Sequence, residues 1–219
     1  MKETNIKTFY DFENQFSGTT IGCLYRGVDN ASFDLTPSLF RHKVITDFDD
    51  SEKRLMWLFK TYAVAHLQRV PGSNLEWLTI ARHHGLPTRL LDWSLSPLVA
   101  CFFAVYRQPA VDGAVYIYDN RDSWLNVIEE DVDPKTLPKI GALLPLHATR
   151  RVSAQSGAFT VHPTAQPTLD SDEINKIIIP GKLKREFLQN LVRFGIHHGT
   201  LFPDLDGLSN YIRYLHDYE

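Results

Sequence analysis

"RHHGLPTRLLDWSLSPLVACFFA", residues 82–104, is the stretch on which the fold turns. It sets Arg89 and Asp92 into an apolar run, just ahead of a segment that is apolar on nearly every side. Burying an unpaired ionisable group costs several kcal/mol, so residues placed this way have a partner or a task. Gly85, with Pro87 beyond it, marks the end of a helix that begins near Asn74. "TRLLDWS" then reads as a strand. Ser96-Pro97 opens the next helix, with serine as its cap and proline at its first position. That helix runs to about Arg107 and belongs in the core.

Working outward, residues 8–16 predict a short helix ending near Ser17-Gly18, and "TIGCLYRG" (20–27) a buried strand stopped by Gly27. "VDNASFDLTPSLFRH" is a turn-rich connection. Ser51 is placed to cap a helix reaching about Gln68, with Leu55, Leu58, Phe59 and Tyr62 on one face, and Pro71-Gly72 breaks it. "GAVYIYD", "GAFTVH" and "NKIIIP" read as strands, and residues 120–149 as irregular. Residues 182–194 predict a helix ending at Gly195. A last helix follows "FPDLDG" and carries Leu208, Tyr211, Ile212 and Leu215 at helical spacing. This order lacks the strict strand–helix alternation of a doubly wound sheet. It predicts an α+β fold, a mixed and mostly antiparallel sheet with flanking helices. No repeat or linker divides the 219 residues, so one domain over 1–219 is expected, with its core at about 20–215.

A net charge of −3 argues against broad electrostatic binding to nucleic acid or anionic membrane. The two cysteines, Cys23 and Cys101, lie in apolar stretches and read as buried thiols. No apolar leader is visible, and "PLVACFFAVY" is about half the length of a membrane span. The expectation is a soluble, cytoplasmic protein with no membrane partner.

On a strand, side chains alternate between faces. Thr88, Leu90, Asp92 and Ser94 would share one face, and Arg89, Leu91 and Trp93 the other. Arg89 and Asp92 therefore do not bond across a single face. Asp92 with Thr88 and Ser94 forms a polar row suited to a hydrogen-bonded ligand; equally, Asp92 can accept backbone N–H groups and fix the turn before Pro97. Arg26, followed by Gly27, offers a planar fork for a phosphate or pyrophosphate, or a salt bridge to a core aspartate such as Asp92. Gly27 lets the backbone bend or a ligand approach. His84, beside Gly85, is placed to face a pocket at a helix end. His83, His84, His197, His198 and the "DLD" at 204–206 match no zinc spacing, and no metal is expected. Gln155 lies at the approach to "GAFTVH", where it can donate and accept or simply face solvent.

Taken together, Tyr25-Arg26-Gly27, "HHGLPTRLLDWSLSPLVACFFA" and "RRVSAQSGAFTVHP" resemble the FRG domain family, whose members occur in bacterial and phage genomes, some in toxin or phage-defence settings. The layout is also similar to the ADP-ribosyltransferase fold. The resemblance implies NAD as substrate, with Arg26, Asp92 and Gln155 as catalytic residues. Tyr25, Gly27, His84, Thr88, Arg89, Trp93 and Ser94 would line the nucleotide, with Tyr25 or Trp93 stacking on a ring. Gln155 stands where that fold carries a catalytic glutamate, and Asp92 would supply the carboxylate. Implied partners are the nucleotide, a macromolecular acceptor (protein or nucleic acid) and a neutralising or regulatory protein. The alternative is a nucleotide- or partner-binding module without turnover.

Overall fold

The structure is a computed structural model that describes residues 1–19, 22–41, 46–120, 124–125, 133–145 and 150–217. In chain order its elements are β1 (Lys2–Asn5), α1 (Phe9–Asn14), β2 (Leu24–Val28), α2 (Phe48–Ala63), α3 (Asn74–His83), β3 (Leu90–Ser94) and α4 (Pro97–Val105). There follow β4 (Gly113–Tyr118), β5 (Gly141–Leu143), α5 (Arg150–Ala154), β6 (Gly157–Val161), β7 (Ile174–Ile179), α6 (Lys184–Arg193), α7 (His198–Leu201) and α8 (Leu205–His216). The seven strands form one sheet in the order β1-β7-β4-β2-β3-β6-β5. Only β1 runs parallel to its neighbour, so the fold is α+β with a mixed, mostly antiparallel sheet.

Residues 82–104 fold as their chemistry requires. Ser73 caps α3, and Gly85 takes φ +86°, the left-handed conformation that ends a helix. The Ser96 hydroxyl accepts from the Val99 amide, and Pro97 sits in the first turn of α4. Helix α4 lies against β2 and β4 at very short range. A Cβ at Gly27 would overlap the Ala100 carbonyl oxygen, and one at Gly113 the Ala104 carbonyl oxygen. Strand alternation then divides the core. Val115 and Ile117 face α4 and α6, with Phe102 and Phe187, while Ala114, Tyr116 and Tyr118 face Leu35, Trp93 and Leu169. A third cluster, with Met56, Leu78, Leu90 and Phe159, lies under α2 and α3.

Several expectations need correction. Helix α2 is capped by Asp47 rather than Ser51, because the Asp47 carboxylate accepts from the Asp50 amide and two more aspartates fill the first turn. Its inward face carries Glu52 and Met56, whereas Tyr62 is 71 % exposed. The apolar stripe of α8 faces solvent at Leu208, Ile212 and Leu215. That helix approaches α7 through Gly207, where a Cβ would overlap the Phe202 carbonyl oxygen. Strands β1 and β5 and helices α5 and α7 were not anticipated. The expected strand start at residues 20–21 and much of the irregular segment 120–149 lie outside the described residues. No helix among the described residues is long and apolar enough to cross a membrane.

Candidate functional site

The β2–β3 ladder contains a single residue pair, Tyr25 with Ser94. Beyond it the Arg26 side chain takes over: its Nη1 donates to the Asp92 carbonyl oxygen at 2.6 Å and stands 3.8 Å from the Asp92 carboxylate. Above this joint opens a pocket of about 600 Å³, lined in part by Arg26, Asp92, His83, His84, Arg82 and Gln155.

Arg82, in the last turn of α3, clasps Asp92. Its Nε lies 3.1 Å from each carboxylate oxygen, Nη2 donates to Oδ2, and Nη1 reaches the Ser38 hydroxyl at 3.3 Å. The surrounding walls work to raise the Asp92 pKa, but the Arg82 charge and hydrogen bonds, with Arg26 behind them, hold it below the ordinary 3.8. Arg26 is buried enough that its pKa falls to about 10 despite Asp92, with Arg82 adding to the fall. Its Nε is buried with no hydrogen-bond partner among the described residues. Burial also lowers the pKa of His83, and His84 and Arg151 push the same way. Arg151, from α5, lines the pocket with its guanidinium 4.7 Å from the Phe202 ring centre. Three arginines thus line a pocket that holds one carboxylate, which Arg82 and Arg26 contact. Such a pocket suits an anionic ligand, and guanidinium forks match phosphate oxygens.

Gln155 is held at the corner between α5 and β6. Its carbonyl accepts from the Ser94 hydroxyl at 2.7 Å, the Leu95 amide donates to the Ser156 carbonyl at 2.8 Å, and Ser156 takes φ 47°. The Gln155 side-chain amide nitrogen donates to the Leu201 carbonyl at 3.1 Å, and the residue lines the pocket.

The other expected site residues divide. His84 caps α3 and lines the pocket. Ser94 lines it too, but its proton is committed to Gln155 and its oxygen accepts from the Ser96 amide. Gly27 lines the pocket as well, and its missing side chain is also what admits helix α4. The rings of Tyr25 and Trp93 are not free for stacking. Tyr25 is 6 % exposed, packs edge-on to Phe16 and donates to the Thr19 hydroxyl. Trp93 is 4 % exposed and donates to the Thr160 hydroxyl at 2.9 Å.

Thr88 and Arg89 fall outside the pocket. The strand starts only at Leu90, and both residues are fully buried. Thr88 accepts from the Leu90 amide at 3.3 Å. Arg89 pairs with Glu52 and Asp49, each at 2.7 Å, and donates to the His162 carbonyl at 3.3 Å. It therefore ties α2 to the sheet. Arg89 and Asp92 each have a partner, and the two sets of partners are separate. Among the described residues no group of three or more His, Cys, Asp or Glu side chains is placed to hold a metal ion.

Sequence reasoning missed Arg82 and Arg151. Arg82 was visible in the last turn of the helix ending at Gly85, whereas Arg151 stood in the "RRVSAQ" segment, where no helix was expected. Compared with known proteins, residues 22–113 match the family model for the FRG domain. No curated protein and no solved structure matches the chain.

Proposed function

With an FRG domain at residues 22–113 as the premise, we propose that the pocket at the β2–β3 joint binds NAD and breaks its nicotinamide–ribose bond, as an ADP-ribosyltransferase-like enzyme does. The observation that carries this reading is the convergence of Arg26, Arg82 and Arg151 on a pocket holding one carboxylate, Asp92. The arginines supply charge for the pyrophosphate, and the unpartnered Arg26 Nε is a donor in reserve. Cleavage of the glycosidic bond sends its electron pair to the nicotinamide nitrogen and leaves positive charge on the ribose. The Asp92 carboxylate and the Gln155 Oε1 are the groups that stabilise that charge. Water, or a nucleophile on a protein or nucleic acid, then attacks the ribose carbon and gives up its proton. In a toxin or defence setting a neutralising partner would cover this opening.

A second reading rests on a specific observation. Asp92 is already clasped by Arg82 and Arg26, and Gln155 carries no charge, so the pocket suits binding without turnover. Incubation with NAD and chromatography of released nicotinamide separates the two. The enzyme reading expects release, and a drop of about a hundredfold in kcat/KM for Arg26→Ala. Arg26→Lys keeps the charge without the fork and guards against a folding defect. Binding without release establishes the module instead, and absence of NAD binding overturns both.

A further inference from the structure

A second cleft, of about 550 Å³, lies between α2, the first half of α3 and residues 133–135. Its floor is apolar, with Met56 at 9 % and Leu78 at 4 % exposure. Its rim combines a large exposed ring with cations. Trp57 is 64 % exposed, and Lys53 and Lys60 flank it at i−4 and i+3, which places all three on one stripe of α2. Lys135 faces them from the opposite wall.

Among the described residues no carboxylate forms a salt bridge with Lys53 or Lys60, while the Lys135 charge acts on the nearby Asp49 carboxylate. Lys60 donates to the Asn74 side-chain oxygen at 2.9 Å, Lys135 donates to the Asp49 carbonyl at 3.1 Å, and Lys53 has no partner among the described residues. Asp133 is on the rim as well, where its carboxylate accepts from the Lys135 amide. An exposed indole flanked by ammonium groups, of which Lys60 hydrogen-bonds only to a neutral oxygen and Lys53 to none among the described residues, matches one ligand chemistry best, a flat base on a flexible phosphate backbone. Stacking takes the base and the lysines take the phosphates.

We infer that the α2 cleft binds single-stranded nucleic acid, with a base on Trp57 and phosphates at Lys53, Lys60 and Lys135. The inference goes beyond the NAD reading and does not depend on it. Helix α3 joins the two sites, since Asn74 and Leu78 line this cleft while Arg82 and His83 line the pocket. At ~1.5 Å per residue they lie about 6 to 14 Å apart along that helix.

The test uses the full chain and a fluorescein-labelled single strand of about 12 nucleotides, followed by anisotropy as salt is varied. Three phosphate contacts predict a slope near −2 for log affinity against log salt. Trp57→Ala should weaken binding about tenfold or more, and Trp57→Phe should restore most of it. Lys53→Gln should flatten the slope by about 0.7. Arg26→Ala should leave the oligonucleotide affinity unchanged, so failure at this cleft is distinguishable from failure at the pocket. No binding at low salt, indifference to Trp57→Ala, or stronger competition by polyglutamate than by unlabelled strand would each overturn the assignment; the last would mark a site for acidic polypeptides.

Discussion

His162 couples burial to protonation. It is fully buried, its Nδ1 bonds to the Pro167 carbonyl at 3.0 Å, and its Nε2 lies 2.8 Å from the Thr160 hydroxyl. Since a carbonyl can only accept, Nδ1 carries the proton and Nε2 accepts from Thr160. The Thr160 oxygen in turn accepts from Trp93, so one proton order runs from the indole to Pro167. Burial lowers the His162 pKa to about 3, with Arg26 and Arg89 pushing the same way against the Pro167 bond. Between about 3 and the ordinary 6.5, the unfolded chain therefore binds a proton that the folded chain refuses. The stability at stake is fully present above 6.5 and is lost as the pH falls below it, by up to about 1.4 kcal/mol per pH unit. Urea unfolding of wild type and His162→Gln across pH 4 to 8 checks this, and the wild-type curve should fall more steeply on the acid side. Parallel curves would remove His162 as the titrating group.

At the scale of elements, the seating of α4 on the sheet is what places the site. The helix reaches β2 and β4 through two glycines, and its Ser96 cap follows directly from the pocket strand β3. Gly27→Ala would drive a methyl group into the Ala100 carbonyl, and backbone on both sides leaves no side chain to move aside. Overpacking of this kind is expected to cost about 3 kcal/mol or more. Gly18→Ala, with no atom within 4 Å of the added Cβ, is the control and should stay within about 0.5 kcal/mol. Thermal melts of the two variants make the comparison, and equal losses would show that the close seating of α4 is not what limits stability. Helix α4 was legible in the sequence because its serine–proline start and unbroken apolar run are local signals. The role of Gly27 was not, since the partner that comes close is a backbone 73 residues further along the chain. Strands β1 and β5 were hidden for another reason. At four and three residues they are too short for an alternation pattern, and only the register of their neighbours makes them strands. The inward face of α2 was misread because Glu52 is turned inward by Arg89, a contact that overrides the hydrophobic pattern.

Across the whole molecule, the sheet is two half-sheets, β1-β7-β4-β2 and β3-β6-β5, meeting at one ladder pair and the Arg26–Asp92 bridge. The site lies at that meeting, which explains how much of it could be read in advance. Arg26, Asp92 and Gln155 come from three separate segments and line one pocket; strand-end chemistry marked them as candidates, and the resemblance to the FRG family joined them into one site. Arg82 and Arg151 enter only through the tertiary arrangement that brings the end of α3 and helix α5 over the joint, while Thr88 and Arg89 leave it because the strand begins two residues later than expected, at Leu90. A ligand in the pocket touches both halves, Arg26 and Gly27 on one side and Asp92 and Phe159 on the other. Its binding energy should therefore appear as global stability. At a hundred times its Kd, a ligand bound only by the folded chain adds about 2.7 kcal/mol. For a chain of this length each kcal/mol is worth about 2–4 °C, so NAD at that ratio should raise the Tm by about 5–10 °C. Hydrogen exchange read in the same samples should slow on both sides of the joint, at β2 and at β3 together. Arg26→Lys should lose most of the shift, because the fork that spans the joint and meets the phosphates is gone. Protection confined to one half-sheet, or an unchanged Tm at saturating NAD, would place the nucleotide somewhere other than between the halves.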